Sequence, residues 1–193
     1  GLAELEPGQR IPRRPGQDGD GAQVTETLQP VLPDELDQKA EQLMKAVCHA
    51  NLMVATAESC TGGLRASLLT DIDGAGHGFD RGFVTYEAQA KQDLLGLTPE
   101  MTERNAAVTK AVARAMAEGA LQNSRADIAL SVTGFAGPAG DDQEEGLCHF
   151  GCARRGKPTM LREEHFGPLG RGPIRIKALG VLLEMLEEAL DEA

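Results

Sequence analysis

Aromatic side chains are scarce in this sequence. Tryptophan is absent, and aromatic residues make up only 3% of the 193 positions. The core must therefore be packed from Leu, Val, Ile, Ala and Met side chains rather than from large rings. Because 41% of the residues are hydrophobic, the chain can build such a core, and its length predicts one domain with an extension.

Basic charge is also in short supply. The net charge is -11 at pH 7, which argues against a general nucleic-acid binder because such a protein needs a basic face. No apolar run approaches the roughly 20 residues that span a bilayer, and no signal peptide is visible at the N-terminus. We therefore expect a cytoplasmic protein that binds neither nucleic acid nor membranes.

The four cysteines give no sign of a secreted disulfide framework, because the chain is large enough to have its own core. Cys148 and Cys152 are four residues apart on a predicted strand and share one face, whereas His149 points to the other. This arrangement is poor for a metal ion, which usually needs four ligands. We expect buried thiols and no metal site.

Residues 1–32 are predicted to be a disordered tail or linker, because they are rich in proline, glycine and charge and poor in apolar residues. Residues 33–193 are predicted to form the domain. The periodicity predicts helices near 33–51, 64–69, 88–95, 109–122 and 174–189, and strands at 52–57, 82–86, 127–133, 147–153 and 159–166. Helices alternate with strands before a final hairpin, which is typical of a layered α/β domain with a mixed sheet.

The most informative stretch is Val54–Leu64, where an apolar run ends in the polar turn Glu58-Ser59-Cys60-Thr61-Gly62-Gly63. Ser59 is predicted to lie at the end of a strand, beside the unpaired N–H groups that begin a helix. Taken alone, a serine in this pattern is more typical of a helix cap than of a nucleophile. A second glycine-bearing loop, 134–140, also follows a strand, and ligands collect at such strand ends.

Three sequence blocks together resemble the CinA C-terminal domain, that is, the nicotinamide-nucleotide amidase (PncC) family. The blocks are Glu58–Gly63, Val84–Tyr86 with Ala90-Lys91 and Leu94–Gly96, and Thr133–Pro138. The resemblance runs from Pro33 to about Leu190 and implies a three-layer α/β/α sandwich with a mixed, mostly parallel sheet. It also implies hydrolysis of nicotinamide mononucleotide to nicotinate mononucleotide and ammonia, without metal or organic cofactor, by a homodimer.

By position, the resemblance assigns the nucleophile to Ser59, the catalytic lysine to Lys91 and a catalytic tyrosine to Tyr86. Amide hydrolysis needs an activated nucleophile, a proton donor for the leaving amine and donors for the oxyanion. Lys91 can take the serine proton if burial lowers its pKa, while Tyr86 either relays the proton or orients Lys91. Cys60 is interpreted as a small packing residue rather than as the nucleophile.

The turn after the first strand and the loop after the third are expected to bind the nucleotide substrate through backbone amides and polar side chains. The predicted binding residues are Glu58, Cys60, Thr61, Gly62, Gly63, Thr133, Gly134, Ala136, Gly137, Arg171 and Arg175. Glu58 either orients the base or serves as a first-turn acid. The two arginines either bind phosphate or are solvated charges at the start of a helix.

The sequence departs from the family pattern on the side where a phosphate would bind. Residues 139–146 form a shorter, acidic loop that would repel an anionic nucleotide, and the acid that often precedes Arg171 in the family is missing. These departures motivate an alternative hypothesis. The domain would then bind or oligomerise without amidase activity, as part of a competence- or damage-inducible protein.

Overall fold

The computed structural model describes residues 32–103, 107–138, 140 and 143–191. The predicted tail, 1–32, lies outside these residues except for Leu32, which is buried in the core. The helices are α1 (Asp34–His49), α2 (Leu64–Thr70), α3 (Ala88–Leu95), α4 (Pro99–Thr102), α5 (Lys110–Gln122) and α6 (Arg171–Asp191). The strands are β1 (Val54–Glu58), β2 (Phe79–Val84), β3 (Ile128–Gly134), β4 (Leu147–Arg154) and β5 (Met160–His165).

The five strands form one mixed sheet in the order β2-β1-β3-β4-β5. β1 pairs in parallel with β2 and β3, whereas β4 is antiparallel to both β3 and β5. Four strands therefore run in one direction and only β4 opposes them. Helices α1, α2 and α6 pack on one face, and α3 and α5 pack on the other. The predicted three-layer α/β/α sandwich with a mixed, mostly parallel sheet is confirmed.

β1 lies between two neighbouring strands, and all of its residues are buried. This position explains its nearly continuous apolar sequence, because a strand covered on both faces has no solvent side to carry polar residues. The strand begins at Val54 rather than at residue 52. It continues through Glu58, because that residue still pairs with Val84 on one side and Val132 on the other.

β2 begins at Phe79, three residues before the predicted start. The polar pair Asp80-Arg81 hides this part of the strand in the sequence. The Asp80 side chain is only 1% exposed, and its carboxylate accepts hydrogen bonds from the backbone and the guanidinium of Arg125. A buried carboxylate paired in this way is compatible with a strand at the sheet edge.

The carboxyl ends of β1, β2 and β3 meet at one edge of the sheet, because these strands are parallel. The turn after β1, the segment between β2 and α3, and the loop after β3 are therefore neighbours. β4 runs the opposite way and begins at this edge, so the loop that precedes it lies there too. Among the described residues, no helix is long and apolar enough to cross a membrane.

Glu58 ties the end of β1 to the start of α2. One carboxylate oxygen accepts hydrogen bonds from Oγ1 of Thr61 at 2.7 Å and from the N–H groups of Gly63 and Arg65, each at 3.1 Å. The other oxygen accepts from the N–H of Ala66 at 2.8 Å. These N–H groups lie at the start of α2, where backbone donors have no partner inside the helix. The buried carboxylate therefore satisfies them and holds the intervening turn in place.

Close packing of α3 against α5 depends on Gly119. A methyl group at this position would overlap the backbone carbonyl oxygen of Leu95, at the end of α3. Gly180, in the middle of α6, provides a contrast. A methyl group there would lie 3.7 Å from Cδ2 of Leu36, which is an ordinary contact distance.

We expect Gly119→Ala to lower the free energy of unfolding by about 1–3 kcal/mol, because the added methyl group forces the two helices apart. Gly180→Ala is the matched control. It should leave the free energy unchanged or raise it by up to about 1 kcal/mol, because alanine favours a helix. Urea unfolding of both variants measures these changes. Equal midpoints for the two variants would contradict the packing argument.

We also expect Glu58→Gln to destabilise the protein, by about 1–3 kcal/mol, because its NH₂ group would face a buried backbone donor instead of accepting from it. Glu35→Gln is the matched control, because Glu35 is an exposed acid in the first turn of α1. Its effect should stay within about 0.5 kcal/mol. A Glu58→Gln variant as stable as Glu35→Gln in thermal and urea unfolding would refute the assigned role.

Candidate active site

Ser59 is the first residue after β1 and lies at the edge where the strand ends meet. Its N–H donates to the carbonyl of Val132 at 3.2 Å, which attaches the turn to β3. Its carbonyl accepts from the N–H of Gly62 at 3.2 Å, which closes the turn. The residue is 8% exposed. Its hydroxyl is therefore held by ordered backbone on both sides.

Lys91 lies on α3, which follows the neighbouring strand β2, and its side chain extends to Ser59. Nζ of Lys91 lies 3.3 Å from Oγ of Ser59 and donates to the carbonyls of Thr85 and Tyr86 at 2.8 and 2.9 Å. The side chain is almost fully buried. Burial lowers the pKa of Lys91 below its ordinary value of 10.5, and the nearby carboxylate of Glu87 opposes this effect.

Tyr86 contacts Lys91 through its backbone carbonyl rather than through its hydroxyl. Its side chain is 64% exposed and forms part of the wall of a cavity beside Ser59. Tyr86 was predicted either to orient Lys91 or to relay a proton. The structure shows a contact that fits the first role, but this contact uses the backbone carbonyl of Tyr86 and not its side chain. A proton relay through the phenol has no corresponding hydrogen bond among the described residues.

The cavity has a volume of about 220 Å³ and opens at the strand-end edge. Its walls come from the turn after β1, the segment between β2 and α3, the end of β3 with the loop that joins it to β4, and the first turn of α6. The lining residues are Ser59, Cys60, Tyr86, Gly134, Phe135, Ala136, Gly137, Pro138, Gln143 and Arg171. The cavity thus combines the predicted nucleophile with aromatic, amide and guanidinium groups.

The two predicted arginines take different positions. Arg171 lines the cavity and packs against the backbone of Gly137. Nε of Arg175 instead donates to the carbonyl of Cys60 at 2.7 Å, and its guanidinium lies next to Gly62. Arg175 therefore supports the turn after β1 from the side away from the cavity, while Arg171 presents its charge to the cavity.

Several predicted binding residues do not line the cavity. The carboxylate of Glu58 is occupied by the start of α2, and the hydroxyl of Thr61 donates to it. Oγ1 of Thr133 donates to the carbonyl of Ala107 at 2.9 Å. The remaining residues of this kind are Gly62, Gly63 and Arg175. These residues shape and hold the turn and the loop, so their positions in the structure indicate support rather than contact with a ligand.

Phe135, Pro138 and Gln143 line the cavity but are absent from the predicted site. Phe135 and Pro138 lie within the glycine-bearing loop. That loop is predicted to bind through its backbone amides, so the prediction selects its glycines and omits the bulky side chains beside them. Gln143 lies in the acidic stretch, which suggests repulsion of an anion rather than contact with a ligand. Their shared signal is position, because all three flank strand ends at the same edge of the sheet.

Arg65 is a second residue that the sequence pattern does not reveal, since arginines are usually exposed. It belongs to the first turn of α2, and its side chain is buried. Its three guanidinium nitrogens have no hydrogen-bond partner within the described ranges. Burial lowers the pKa of Arg65 to about 10, and the carboxylate of Glu58 opposes this effect. At neutral pH the guanidinium therefore stays charged and balances the buried charge of Glu58.

The four cysteines form no disulfide, and both Cys148 and Cys152 are buried, as predicted. Within the described part of the chain, no group of three or more His, Cys, Asp or Glu side chains is arranged to hold a metal ion.

Sequence comparison identifies a family and several relatives. Residues 36–190 match the family model of the CinA C-terminal domain. The chain is 40% identical over 154 residues to the nicotinamide-nucleotide amidohydrolase PncC of Escherichia coli K12, covering 79% of this chain and 93% of that protein. It is 45% identical over 117 residues to a putative competence-damage inducible protein of Caldicellulosiruptor bescii, covering 60% of this chain but only 28% of that protein.

Solved structures show the same fold. The competence/damage inducible protein CihA from Agrobacterium tumefaciens superposes with a TM-score of 0.79 at 41% identity, over 83% of this chain and 98% of that one. A CinA superfamily protein from Escherichia coli superposes with a TM-score of 0.75 at 30% identity, over 82% and 93% of the two chains.

The relatives differ in length. This chain spans about a quarter of the competence-damage inducible and CinA-like proteins that it matches, namely 28%, 27% and 22% of three of them. It spans nearly all of the PncC proteins. The family model covers most of the sequence, and the structural match covers 83% of it. This chain belongs to the CinA C-terminal domain family.

Proposed function

We propose that this chain hydrolyses nicotinamide mononucleotide to nicotinate mononucleotide and ammonia, with Ser59 as the nucleophile and Lys91 as the base. The contact between Nζ of Lys91 and Oγ of Ser59, at 3.3 Å beside an open cavity, carries the proposal. The similarity to Escherichia coli PncC, a protein named for this activity, supports the choice of substrate.

The hydrogen bonds of Lys91 fit the neutral amine that a base must be. A neutral amine has two N–H donors and one lone pair. The carbonyls of Thr85 and Tyr86 take the two donors, and the lone pair then faces the hydroxyl of Ser59. Burial favours this neutral form, because desolvation penalises the charged one.

The reaction then proceeds in two steps. Lys91 takes the hydroxyl proton as Oγ of Ser59 attacks the carboxamide carbon, and it returns the proton to the departing amine, so that ammonia leaves and an acyl-serine forms. Water then attacks the ester by the same route, with Lys91 accepting its proton and Ser59 leaving as the hydroxyl. The nicotinate mononucleotide formed and one ammonia balance the amide and one water consumed.

The turn after Ser59 offers two backbone amides for the oxyanion. The N–H of Gly62 is bonded to the carbonyl of Ser59, and the N–H of Gly63 is bonded to Glu58. The N–H of Thr61 has no acceptor within the described ranges, and the N–H of Cys60 interacts with its own side chain. We assign these two donors to the oxyanion, where fixed dipoles stabilise the developing charge.

The rest of the cavity supplies groups that suit a nucleotide with an aromatic base. Arg171 provides a guanidinium that can bind a phosphate through two hydrogen bonds. Tyr86 and Phe135 provide apolar ring surface for the pyridine, and the side-chain amide of Gln143 provides a polar contact. The carboxamide is thereby directed toward Ser59.

Two acids of the loop 139–146, Glu144 and Glu145, have defined partners, while Asp141 and Asp142 lie outside the described residues. Oε1 of Glu144 lies 2.7 Å from Nδ1 of His165, and Oε1 of Glu145 accepts from the N–H of Gly170 at 3.2 Å. Neither glutamate lines the cavity. The charge of Glu144 is therefore directed toward β5, whereas the carboxylate of Glu145 lies beside the start of α6, next to Arg171.

The homodimer and the cytoplasmic location implied by the family resemblance belong to the same proposal. Val84, Tyr86 and Leu94 are large apolar side chains at the β2–α3 edge, and all three are at least 46% exposed. An apolar surface of this kind is suited to contact with a second copy. Light scattering coupled to size-exclusion chromatography measures the mass in solution, and a monomer at all concentrations would refute the dimer.

We expect Ser59→Ala to reduce kcat for ammonia release from nicotinamide mononucleotide by at least about 10³-fold, because no nucleophile remains. Ser67→Ala is the matched control, because Ser67 lies on the exposed face of α2. It should retain the activity of the unmodified chain. Full activity in Ser59→Ala would refute the mechanism. An unmodified chain that neither releases ammonia nor gains thermal stability from the nucleotide would favour the alternative, a binding or oligomerisation domain.

We expect kcat/KM to rise with pH, because the base acts only as the neutral amine, and its neutral fraction grows as pH approaches the pKa of Lys91. The rise should level off below pH 10.5, since burial lowers this pKa. Glu87→Gln should shift the profile to lower pH, because it removes the carboxylate that favours the protonated form. Asp93→Asn, on the exposed surface of the same helix, is the control. Superimposable profiles for all three proteins would contradict Lys91 as the base.

A further inference from the structure

Two thiols meet directly beneath the cavity. Cys60 follows Ser59 in the turn and lines the cavity, while Cys148 is the second residue of β4 and is completely buried. Both belong to the same buried cluster of side chains, and each thiol shifts the pKa of the other. The sequence separates them by 88 positions, and the proposed amidase chemistry uses neither sulfur.

The backbone around Cys148 confirms how closely this sulfur approaches the cavity loop. Cys148 pairs with Gly134 across β3 and β4. A methyl group at Gly134 would lie only 2.5 Å from Sγ of Cys148, so the sulfur occupies the space that a side chain there would need. Gly134 itself lines the cavity. The thiol pair thus lies between the turn after β1 and the loop after β3.

The two thiols are not equivalent. The interaction with the Cys148 thiol and the positive charge of Arg175 lower the pKa of Cys60. The same interaction, together with burial, raises the pKa of Cys148 well above the usual range. The sulfur that faces the cavity is therefore the better nucleophile, since the thiolate is the reactive form.

We propose that Cys60 and Cys148 form a reversible redox pair, oxidised by hydrogen peroxide that enters through the cavity. The Cys60 thiolate attacks one peroxide oxygen, which breaks the O–O bond and gives a sulfenic acid and hydroxide. The Cys148 thiol then attacks the sulfenic sulfur, and the disulfide forms with loss of water. The two thiols lose two electrons, and hydrogen peroxide accepts them. A dithiol such as dithiothreitol reverses the reaction by thiol–disulfide exchange.

The consequence for catalysis rests on the proposed function. A disulfide joins its sulfurs at about 2 Å, which is shorter than any contact between separate thiols. Closing this gap draws Cys60 toward β4 and displaces the adjacent Ser59 from Nζ of Lys91. Because a misplacement of about 1 Å can cost about 100-fold in rate, we expect oxidation to reduce amidase activity by 10- to 100-fold and reduction to restore it.

The test is to treat the reduced chain with hydrogen peroxide, alkylate the remaining thiols under denaturing conditions and map the peptides by mass spectrometry. We expect a mass loss of two hydrogens and one cross-linked peptide pair that contains Cys60 and Cys148. Cys148→Val should prevent the cross-link. Cys152→Val is the matched control, because Cys152 lies on the same face of the same strand and is equally buried, and it should leave the cross-link intact.

The mass measurement on the unmodified chain decides the proposal even if a variant fails to fold. Full alkylation of all four cysteines, a link between other cysteines, or oxidation of Cys60 without a link to Cys148 would overturn the pair. A Cys60–Cys148 link in a chain that hydrolyses no nicotinamide mononucleotide would support the pair and count against the proposed function. A link with undiminished amidase activity would overturn its effect on catalysis.

Discussion

The structure around the candidate site depends on one buried carboxylate. Glu58 ends the central strand β1 and accepts four hydrogen bonds from the turn and from the start of α2. Unsatisfied donors at this depth would each cost about 1–3 kcal/mol, so the carboxylate sets the path of the chain around Ser59. The charge of Arg65 and the bond from Arg175 to the carbonyl of Cys60 support the same turn from the core side.

The turn gains its chemical meaning from a second connection at the same sheet edge. Directly after β2, the carbonyls of Thr85 and Tyr86 hold Nζ of Lys91, and α3 supplies the lysine itself. The amine therefore reaches Ser59 from a rigid helix instead of a flexible loop, which holds Nζ of Lys91 in a fixed position beside Oγ of Ser59. The loop after β3 and the first residue of α6 complete the cavity with Phe135 and Arg171.

Local patterns predicted most elements of the fold, because a buried strand and an amphipathic helix leave different periodicities. The early part of β2 was hidden by Asp80, whose buried carboxylate pairs with Arg81 and with the distant Arg125. The start of α6 at Arg171, three residues before the predicted Ile174, was hidden by Pro173, which the first turn of a helix tolerates. Asp80 is accommodated by a partner that is distant in sequence, and Pro173 is accommodated by its position in the first turn of the helix. The local sequence pattern reveals neither fact.

The sequence by itself predicted the three-layer fold and the family, and it singled out Ser59 and Lys91 as a candidate pair, because family motifs are read from residues along the chain. Only the tertiary structure decided what each neighbour does. It placed Glu58, Thr133 and Arg175 in support of the turn and the loop, brought Gln143 to the cavity wall, and placed Cys60 and Cys148 in one buried cluster. The physical reason is that hydrogen bonds and cavity walls depend on distances between separate strand ends, which the parallel arrangement of β1, β2 and β3 sets.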